Sequence, residues 1–454
     1  MTTYDVVVVG SGTGGCYAAA TVARAGYDVV ILERKTAEEA GHIACGDAIK
    51  GAANFPEAIP KSQIEPAFSN TDVDHGRFEL PSEECVLDIP VPGELAVLDR
   101  WEYGRLIIDG AEKQGVDFHY DTVVKDVLQE EGERVRGVKA IRDGSAVDYE
   151  AEVVIDAAGA LSLLQDKADF SESTFDTNVN YSQFCSAYRE IIEVDEPVEW
   201  KDALVFKPTE RAAGYVWYFP RTPTEINVGL GFQMNESPMK LVEVLKDDLR
   251  ERTEFAGARV KDKLGAALPT RRPYDSAVAP GFLAVGDAAG HVNPTTGGGI
   301  AGAAYAGMYA GEQAVEAIGT GDIGEGALWG YNERVMDHFG ARYAALDVYN
   351  IFVTAYDLDD LTALLAAMPT QNFSEALYSG STSFGPRLAL RTLWKSLGHW
   401  GTLFDLYSTK RLADRLLSHY ENYPDSISEF NGWRIRRDRL MDEIYETTGA
   451  DAKY

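Results

Sequence analysis

The sequence predicts an α/β domain joined to a second, α+β domain and followed by a C-terminal helical region. Three observations support this fold class. A strand, a glycine-rich turn and a helix follow one another at the N-terminus, strands with one helical segment occupy residues 163–269, and the chain is almost wholly of helical pattern from Ala301 onward. With 454 residues, the chain is long enough for two or three domains.

The N-terminal turn has the glycine spacing of a phosphate-binding loop. Residues 4–9 form an apolar, β-branched run typical of a buried parallel strand, and residues 16–25 have the pattern of a helix. Between them, Gly10 permits a tight turn, Gly12 leaves room for a pyrophosphate, and Gly15 lets the helix pack closely on the strand.

A second strand, at residues 28–32, ends in Glu33. An acid placed roughly 20 residues beyond such a turn can bind the ribose 2′-hydroxyl of an adenosine. Strand, turn, helix and terminal acid therefore occur in the order that a Rossmann-like dinucleotide-binding domain requires.

Another glycine-rich motif lies far downstream. A strand at residues 281–285 leads into Asp287, and the sequence PTTGGGI follows at residues 294–300. We expect Asp287 close to a ribityl chain, and a helix starting near Gly298 would present backbone amides to the pyrimidine edge of a flavin. The GxGxxG spacing at residues 297–302 is not a second dinucleotide site, because its upstream strand ends too early. Together, the two motifs predict one bound FAD.

The segments between the motifs return the chain to the sheet. Asp99 is the expected N-cap of a helix. Strand patterns follow at residues 116–120, 123–127, 135–141 and 147–155. We therefore expect a discontinuous FAD-binding domain of residues 1–50, 95–162 and 270–345, a substrate-binding α+β domain of residues 51–94 and 163–269, and a C-terminal helical region of residues 346–454.

Composition excludes several classes of protein. The formal net charge is −30, yet 45% of residues are hydrophobic, which is globular and not disordered. An acidic surface repels nucleic acid, and its scattered acids fit either a halophilic cytosolic protein or an acidic partner-binding face. Four cysteines without a Cys/His cluster favour a reducing cytoplasm and no metal site. No leader or run of 18 apolar residues is present, so we expect any membrane contact to be peripheral.

The order of these motifs resembles the FAD-dependent para-hydroxybenzoate-hydroxylase-like superfamily over most of the chain. Three further motifs look like those of geranylgeranyl reductases: ACGDAI at residues 44–49, GYVWYFP at residues 214–220 and NPTTGGGI at residues 293–300. The three are unrelated in sequence, yet they occur in the order of that family. The resemblance covers residues 1 to about 345 well.

This resemblance implies a site built from both ends of the chain. With the glycines of the first turn, the implied cofactor-binding residues are Gly10, Gly12, Gly15, Glu33, Cys45, Gly46, Ala48, Arg100, Val124, Asp287, Gly299 and Ile300. The implied substrate-binding residues are Tyr215, Trp217 and Phe219.

The implied activity is reduction of isolated double bonds of geranylgeranyl chains on archaeal ether-lipid precursors, in membrane phospholipid biosynthesis. An alkene of this kind has no polarising carbonyl, so a dry apolar pocket must hold it against the flavin.

Several residues have two possible roles. The Cys45 thiol could take part in redox or acid-base chemistry, although packing or a backbone contact is the commoner role. Tyr215, Trp217 and Phe219 share one face of a strand and could line a cavity or belong to a core. His291 could donate a proton or be satisfied within its loop. We therefore leave the proton donor unassigned.

The electron donor is also open. Ala158-Gly159 stands where the superfamily often has Asp-Gly, a pair that in hydroxylases helps to hold FAD and NADPH. This departure leaves room for ferredoxin or an NAD(P)H-linked reductase. One alternative function is an FAD-dependent halogenase or monooxygenase, but the YxWxFP and CGDAI motifs argue against it. Another is a flavin electron-transfer protein.

One segment reverses the acidic bias. Between Arg387 and Arg415, six basic residues accompany Trp394 and Trp400 among many leucines. This segment could contact anionic lipid headgroups at the inner membrane face, or it could be an ordinary packed helix pair.

Overall fold

The computed structural model describes residues 2–50, 53–91, 95–209, 214–234, 237–356 and 400–453, together with residue 362. The strands are β1 Thr2–Val9, β2 Val29–Leu32, β3 Ala48–Lys50, β4 Phe68–Asn70, β5 His75–Leu80, β6 Cys85–Pro90, β7 Leu95–Leu98, β8 Asp117–His119, β9 Thr122–Val127, β10 Gly137–Arg142, β11 Ser145–Asp156, β12 Phe184–Glu193, β13 Ala203–Pro208, β14 Gly214–Pro220, β15 Glu225–Gln233, β16 Arg259–Pro269, β17 Val278–Ala279 and β18 Phe282–Ala284. The helices are α1 Thr13–Arg24, α2 Lys61–Ile64, α3 Arg100–Lys113, α4 Pro238–Glu251, α5 Ile300–Thr320, α6 Glu325–Leu328, α7 Gly330–Val335, α8 Ala341–Ala355, α9 Trp400–Tyr420 and α10 Ile427–Thr448.

A largely parallel sheet carries the N-terminal motif. Its strand order is β17-β18-β11-β1-β2-β8, and β10 and β9 extend it from β11 by antiparallel pairing. The central strand β1 is parallel to both β2 and β11, with Val6 opposite Val29 and Val153. Residues 6–9 are buried, as expected for a parallel strand covered on both faces.

An antiparallel sheet forms the second layer. Its order is β16-β12-β15-β14-β13-β5-β6, and only the pair β13 and β5 is parallel among its described strands. Helix α4 covers one face, where Leu241, Leu245 and Leu249 pack on strand residues such as Val228 and Leu230. The amphipathic pattern of this helix fits its position on the sheet.

The opposite face of the antiparallel sheet meets a small sheet of order β3-β7-β4. Leu95 and Val97 of β7 lie in one apolar cluster with Leu204, Trp217 and Phe219 of the larger sheet. This face of the antiparallel sheet therefore packs against the segment that contains the CGDAI motif.

The C-terminal helices are attached through buried charges. Asp275 pairs with Arg272 and Arg437, and it also accepts a hydrogen bond from Tyr420. These cations, Arg437 first, hold the pKa of the Asp275 carboxyl below its ordinary range despite burial. Helices α9 and α10 are thereby tied to the chain just before β17. Within the part of the chain that the structure describes, no helix is both long and apolar enough to cross a membrane.

The predicted fold class is confirmed: a mixed α/β architecture with a helical C-terminal region. Asp99 is the N-cap of α3 and accepts hydrogen bonds from the backbone amides of Trp101 and Glu102. Helix α5 begins at Ile300, two residues later than Gly298. The domain division stays a prediction: β5 and β6 pair within the antiparallel sheet, whereas β4, from the same predicted segment, pairs with β7.

Candidate functional site

The first glycine turn connects β1 to α1. Gly10 has a φ of +102°, a left-handed conformation that favours glycine. A Cβ at Gly15 would collide with the Gly10 carbonyl oxygen, so this residue allows the close approach of helix and strand. Gly12 is the N-cap of α1, and a Cβ built there meets no described atom within 4 Å. The space beside Gly12 is therefore open, whereas the space beside Gly15 is filled by the protein.

Glu33 lies beside this turn at the end of β2. Its Oε2 accepts hydrogen bonds from the Ser11 backbone amide at 3.0 Å and the Ser11 hydroxyl at 2.6 Å, and its Oε1 accepts from the Lys35 amide at 2.9 Å. The same segment meets the start of β9, because the Thr122 amide donates to the Glu33 carbonyl. Val124, two residues further along β9, is half-buried against the core.

The downstream motif lies against the first turn. A Cβ at Gly14 would stand 3.1 Å from Val285 Cγ2 and 3.5 Å from the Gly286 amide nitrogen. A Cβ at Gly299 would stand 3.7 Å from Asp287 Oδ1. The structure therefore brings the N-terminus of α1, the Asp287 turn and the N-terminus of α5 together.

Asp287 lies in a single turn of 3₁₀-helix, Gly286–Ala289. Burial raises the pKa of its carboxyl to about 6, and the nearby positive charge of Arg100 opposes this rise. Arg100, the first residue of α3, is buried and stacks over the Tyr103 ring at 4.8 Å. Its Nη1 has no hydrogen-bond partner among the described residues. A buried guanidinium with an unused N–H can donate a hydrogen bond to an acceptor atom of a ligand.

His291 has an environment that favours a role within its turn. Its Nδ1 accepts a hydrogen bond from the Gly286 amide at 3.1 Å, and its own amide donates to the Gly286 carbonyl. Burial lowers the pKa of the ring to about 3, so the imidazole is neutral at physiological pH. The ring packs edge-on against Phe339.

The CGD turn precedes β3. The Cys45 thiol accepts a hydrogen bond from the Asp47 amide at 3.3 Å, and burial, assisted by the charge of Asp47, raises the pKa of the thiol. Asp47 has a φ of +70°, which is uncommon for a residue with a side chain. Ala48 then begins β3 opposite Val97 and packs against the apolar cluster that contains Phe219.

The aromatic residues of β14 form one wall, as the alternation along a strand predicts. Trp217 and Phe219 are buried and stacked, with ring centroids 6.2 Å apart, while Tyr215 is half-buried. A Cβ at Gly46 would stand 3.2 Å from the Phe219 ring. At the other end, the Tyr215 hydroxyl donates to the Thr296 carbonyl at 3.3 Å. The aromatic wall thus contacts both the CGD turn and the loop before α5.

The sequence did not indicate a buried polar network that lies beside this wall, on the same face of the sheet. The Asn227 side-chain amide donates to the Cys45 carbonyl at 2.8 Å and to Asp47 Oδ2 at 2.6 Å, and its oxygen accepts from Trp217 Nε1 at 3.0 Å. Arg221 pairs with the same Asp47 oxygen at 2.7 Å. The Asp in CGDAI was the available sequence signal, but its partners lie about 175 residues away in the chain.

The arrangement fits FAD on two observations. The open space beside Gly12 lies at the N-terminus of α1, where backbone amides can bind a pyrophosphate. The unused Nη1 of Arg100 is a buried donor near Asp287. No group of three or more potential metal ligands occurs among the described residues.

Most of the basic segment suggested for membrane contact, including Arg387, Arg391, Trp394 and Lys395, lies outside the described residues. In the described part of α9, Lys410 pairs with Asp414 at 2.6 Å. Arg415 likewise pairs with Glu443 of α10. These two pairs match the alternative of an ordinary packed helix pair.

Comparison with known proteins identifies related sequences along almost the whole chain. The family model for an FAD binding domain matches residues 3–334. Digeranylgeranylglycerophospholipid reductase from Methanothrix thermoacetophila is 31% identical over 399 residues, which cover 86% of this chain and 98% of the relative. The protein of the same name from Sulfolobus acidocaldarius is 27% identical over 451 residues, covering 97% and 98%.

Solved structures share the fold. A geranylgeranyl bacteriochlorophyll reductase-like protein from Thermoplasma acidophilum has a TM-score of 0.72 at 24% identity and covers 89% of this chain and 100% of its own. A flavin-dependent brominase has a TM-score of 0.62 at 16% identity and covers 98% and 100%. At these identities, the structures establish the fold alone.

Proposed function

Because the chain belongs to the digeranylgeranylglycerophospholipid reductase family and carries an FAD binding domain, we propose that it is an FAD-dependent reductase of geranylgeranyl lipids. It hydrogenates isolated double bonds on archaeal ether-lipid precursors, in membrane phospholipid biosynthesis. The observation that carries this proposal is the position of the aromatic wall of β14, which contacts the CGD turn through Gly46 and the α5 loop through Thr296.

This geometry supports a role in FAD binding for each of the following residues. Gly12 and the first amides of α1 would bind the pyrophosphate, and Glu33, which holds the Ser11 turn, would accept a hydrogen bond from the adenosine ribose. Asp287 would accept a hydrogen bond from a ribityl hydroxyl of FAD, and the backbone amides of Gly299 and Ile300 would hold the pyrimidine edge of the flavin. Gly10 and Gly15 shape the turn. The remaining proposed contacts are Cys45, Gly46, Ala48, Arg100 and Val124.

The substrate side of the site is apolar. Tyr215, Trp217 and Phe219 exclude water and orient the prenyl chain so that one double bond lies against the cofactor. When bound there, reduced FAD would supply the hydride for reduction of the alkene. A proton must also reach the alkene, and the thiol of Cys45 retains its proton on Sγ at neutral pH because burial raises its pKa.

Two partners belong to this proposal. The electron donor is ferredoxin or an NAD(P)H-linked reductase, in line with Ala158-Gly159 in place of Asp-Gly. We also propose peripheral contact at the inner membrane face through residues 387–415. The basic and tryptophan side chains of residues 387–400 would make this contact, because Lys410 and Arg415 already pair with acids of α9 and α10. Flotation of the protein with anionic liposomes tests this contact. If replacing Arg387, Arg391 and Lys395 by Glu leaves flotation unchanged, the segment is not the docking surface.

Product analysis tests the activity. The purified protein, FAD and excess dithionite are incubated with a geranylgeranyl glycerophospholipid, and lipid masses are measured. We expect additions of two hydrogens for each double bond reduced. A lipid that stays unsaturated with FAD-loaded protein would contradict the proposed function.

A further inference from the structure

The polar network beside the aromatic wall contains an asparagine whose three interactions join separate parts of the site. Asn227 lies on β15, opposite Phe219 of β14, and is fully buried. Its oxygen receives the indole Nε1 hydrogen of Trp217, and its two amide hydrogens point to the Cys45 carbonyl and the Asp47 carboxylate. All the hydrogens of this amide are used.

The second restraint on Trp217 is steric. A Cβ at Gly229, opposite Trp217 in the ladder, would collide with the indole ring, so the ring occupies the space that this glycine leaves. The indole is therefore held at its ring by Gly229 and at its nitrogen by Asn227. A buried tryptophan with a satisfied N–H in a tight recess has one orientation.

The same amide also restrains the CGD turn. Cys45 and Asp47 flank Gly46, and Gly46 lies against the rings of Phe219 and Trp217. Asp47 has a left-handed backbone and is further held by Arg221, which also pairs with Asp99 at the start of α3 at 3.2 Å. One side chain thus connects the wall that takes the prenyl chain with the turn that lies beside the proposed flavin position.

We propose that Asn227 is a positioning residue of the reaction, which fixes the Trp217 indole and the Cys45-Gly46 turn in one geometry. This inference rests on the proposed function for its kinetic consequence. The alternative is that Asn227 merely satisfies buried polar groups, in which case its loss lowers stability without a selective effect on the lipid reaction.

The kinetic test separates the two half-reactions. Wild type, Asn227→Leu and Trp217→Phe are loaded with FAD and reduced by dithionite, and flavin absorbance is followed after anaerobic addition of a geranylgeranyl lipid or, separately, after addition of oxygen. We expect Asn227→Leu to slow reoxidation by the lipid roughly tenfold, because a displaced alkene reacts poorly. Reoxidation by oxygen stays within about twofold, since it needs no aligned substrate.

A double-mutant comparison tests the route of the effect. Trp217→Phe retains a ring and removes the Nε1 donor. In that background, Asn227→Leu should slow the lipid reaction less than it does in the wild type, because the hydrogen bond between Trp217 and Asn227 is already absent. Equal slowing in both backgrounds would overturn a route through Trp217.

A conservative variant guards against simple misfolding. Asn227→Asp retains the acceptor for the indole but places a carboxyl at 2.6 Å from Asp47 Oδ2, where two carboxylates resist joint ionisation. The charged and titratable groups that act on this site are Arg221 with its partners Asp99 and Glu225, together with Arg189, Arg100 and the Cys45 thiol. In Asn227→Asp, we expect reoxidation of the flavin by the lipid to be fastest at low pH, where the two carboxyl groups share one proton. The rate should fall as pH rises, while the wild-type rate depends less on pH. Parallel profiles would contradict the inference.

A readout without catalysis completes the test. The indole N–H resonance of Trp217, assigned by its loss in Trp217→Phe, should shift and exchange faster with solvent in Asn227→Leu. An unchanged resonance would overturn the positioning role even if turnover fell. Failure of the wild-type flavin to react with any geranylgeranyl lipid would overturn the proposed function instead, and the indole resonance would still decide whether Asn227 holds Trp217.

Discussion

Glycines of the same turn have different physical reasons to be glycine. Gly15 is surrounded by protein, because a Cβ there would collide with the Gly10 carbonyl. Gly12 has an ordinary backbone conformation, and no described atom lies within 4 Å of the position of its Cβ. The protein alone therefore leaves room for a side chain at Gly12, and in the proposed site the FAD pyrophosphate would oppose one.

Replacement of Gly12 by Val should remove FAD but leave the fold intact. We expect the melting temperature of the FAD-free protein to stay close to that of the wild type, while FAD affinity falls at least ~tenfold, or about 1.4 kcal/mol. Flavin absorbance and thermal denaturation measure the two effects. Gly15→Ala is the contrasting variant, since it should lower the melting temperature itself. Full FAD retention in Gly12→Val would refute the placement of the pyrophosphate.

Asp287 should make FAD affinity depend on pH. Burial raises the pKa of its carboxyl to about 6 in the protein without FAD, and a ribityl hydroxyl that donates to the carboxylate favours the charged form. Binding then releases a proton, so affinity rises from about pH 5 to pH 7 and levels off above. Calorimetric titration in buffers of different ionisation enthalpy measures this proton release.

Asp287→Asn is the matched control for that experiment. It keeps the shape and one acceptor but cannot ionise, so its FAD affinity should lose the dependence on pH in this range. In the FAD-free wild type, the raised pKa of Asp287 makes stability change with pH in the opposite direction to FAD affinity. The contribution of Asp287 to the free energy of unfolding decreases as pH rises from about 4 to about 6. Equal pH dependence of FAD affinity in both proteins would contradict the role of Asp287.

Among the elements, the crossing of α1 and α5 brings the two cofactor motifs together. A Cβ at Gly307 of α5 would collide with the Gly14 carbonyl of α1, and one at Gly311 would stand 2.7 Å from the Ala18 carbonyl. Small residues let the two helix axes approach closely. Their N-termini therefore meet at the same place, beside Gly12 and Asp287.

Gly307→Ala should separate these helices. We expect a loss of about 1–3 kcal/mol in the free energy of unfolding from overpacking, accompanied by weaker FAD binding. Gly319→Ala on the same helix is the control, because its Cβ would meet only the Tyr27 hydroxyl at an ordinary 3.4 Å. That variant should be neutral or slightly stabilised, since alanine is the better helix former. A stable Gly307→Ala protein with full FAD affinity would show that the crossing does not set the site.

Local sequence signals were sufficient to predict the helices and strands whose contacts are formed by residues close together in the chain. The β1-turn-α1 unit, the Asp99 cap and helix α4 follow from periodicity and capping rules, and the structure confirms them. Strands β5 and β6 were not predicted individually. The pairing of β5 with β13 joins segments more than 100 residues apart, and no local pattern specifies such a partner.

The whole molecule carries a net charge of −30, and its acids repel one another. Salt shortens the Debye length from about 10 Å at 0.1 M to about 3 Å at 1 M, which screens this repulsion. We therefore expect the melting temperature to rise by several degrees between 0.1 M and 1 M KCl. Buried pairs such as Asp275 with Arg437 are screened much less and should persist. A melting temperature that falls over this range would contradict a stability limited by surface repulsion.

Part of the candidate site could be proposed from the sequence, and its cofactor-binding roles stay predictions. The glycines, Glu33 and Asp287 follow from motif chemistry, and the aromatic face of β14 follows from alternation. The network of Asp47, Arg221 and Asn227 could not be predicted, because the three residues come from distant segments and meet only when the antiparallel sheet folds onto the CGD turn. The hydrogen bonds of this network therefore exist only in the folded protein.

In the proposed function, the flavin of this protein passes its electrons to an isolated double bond of a geranylgeranyl lipid. An anaerobic titration of the dithionite-reduced protein, free of excess dithionite, with the unsaturated lipid tests this transfer, and flavin absorbance and lipid mass are both measured. We predict return of the oxidised flavin spectrum, with one double bond saturated for each flavin reoxidised. A reduced spectrum that persists with the lipid but returns to the oxidised form on admission of oxygen would contradict the proposed function.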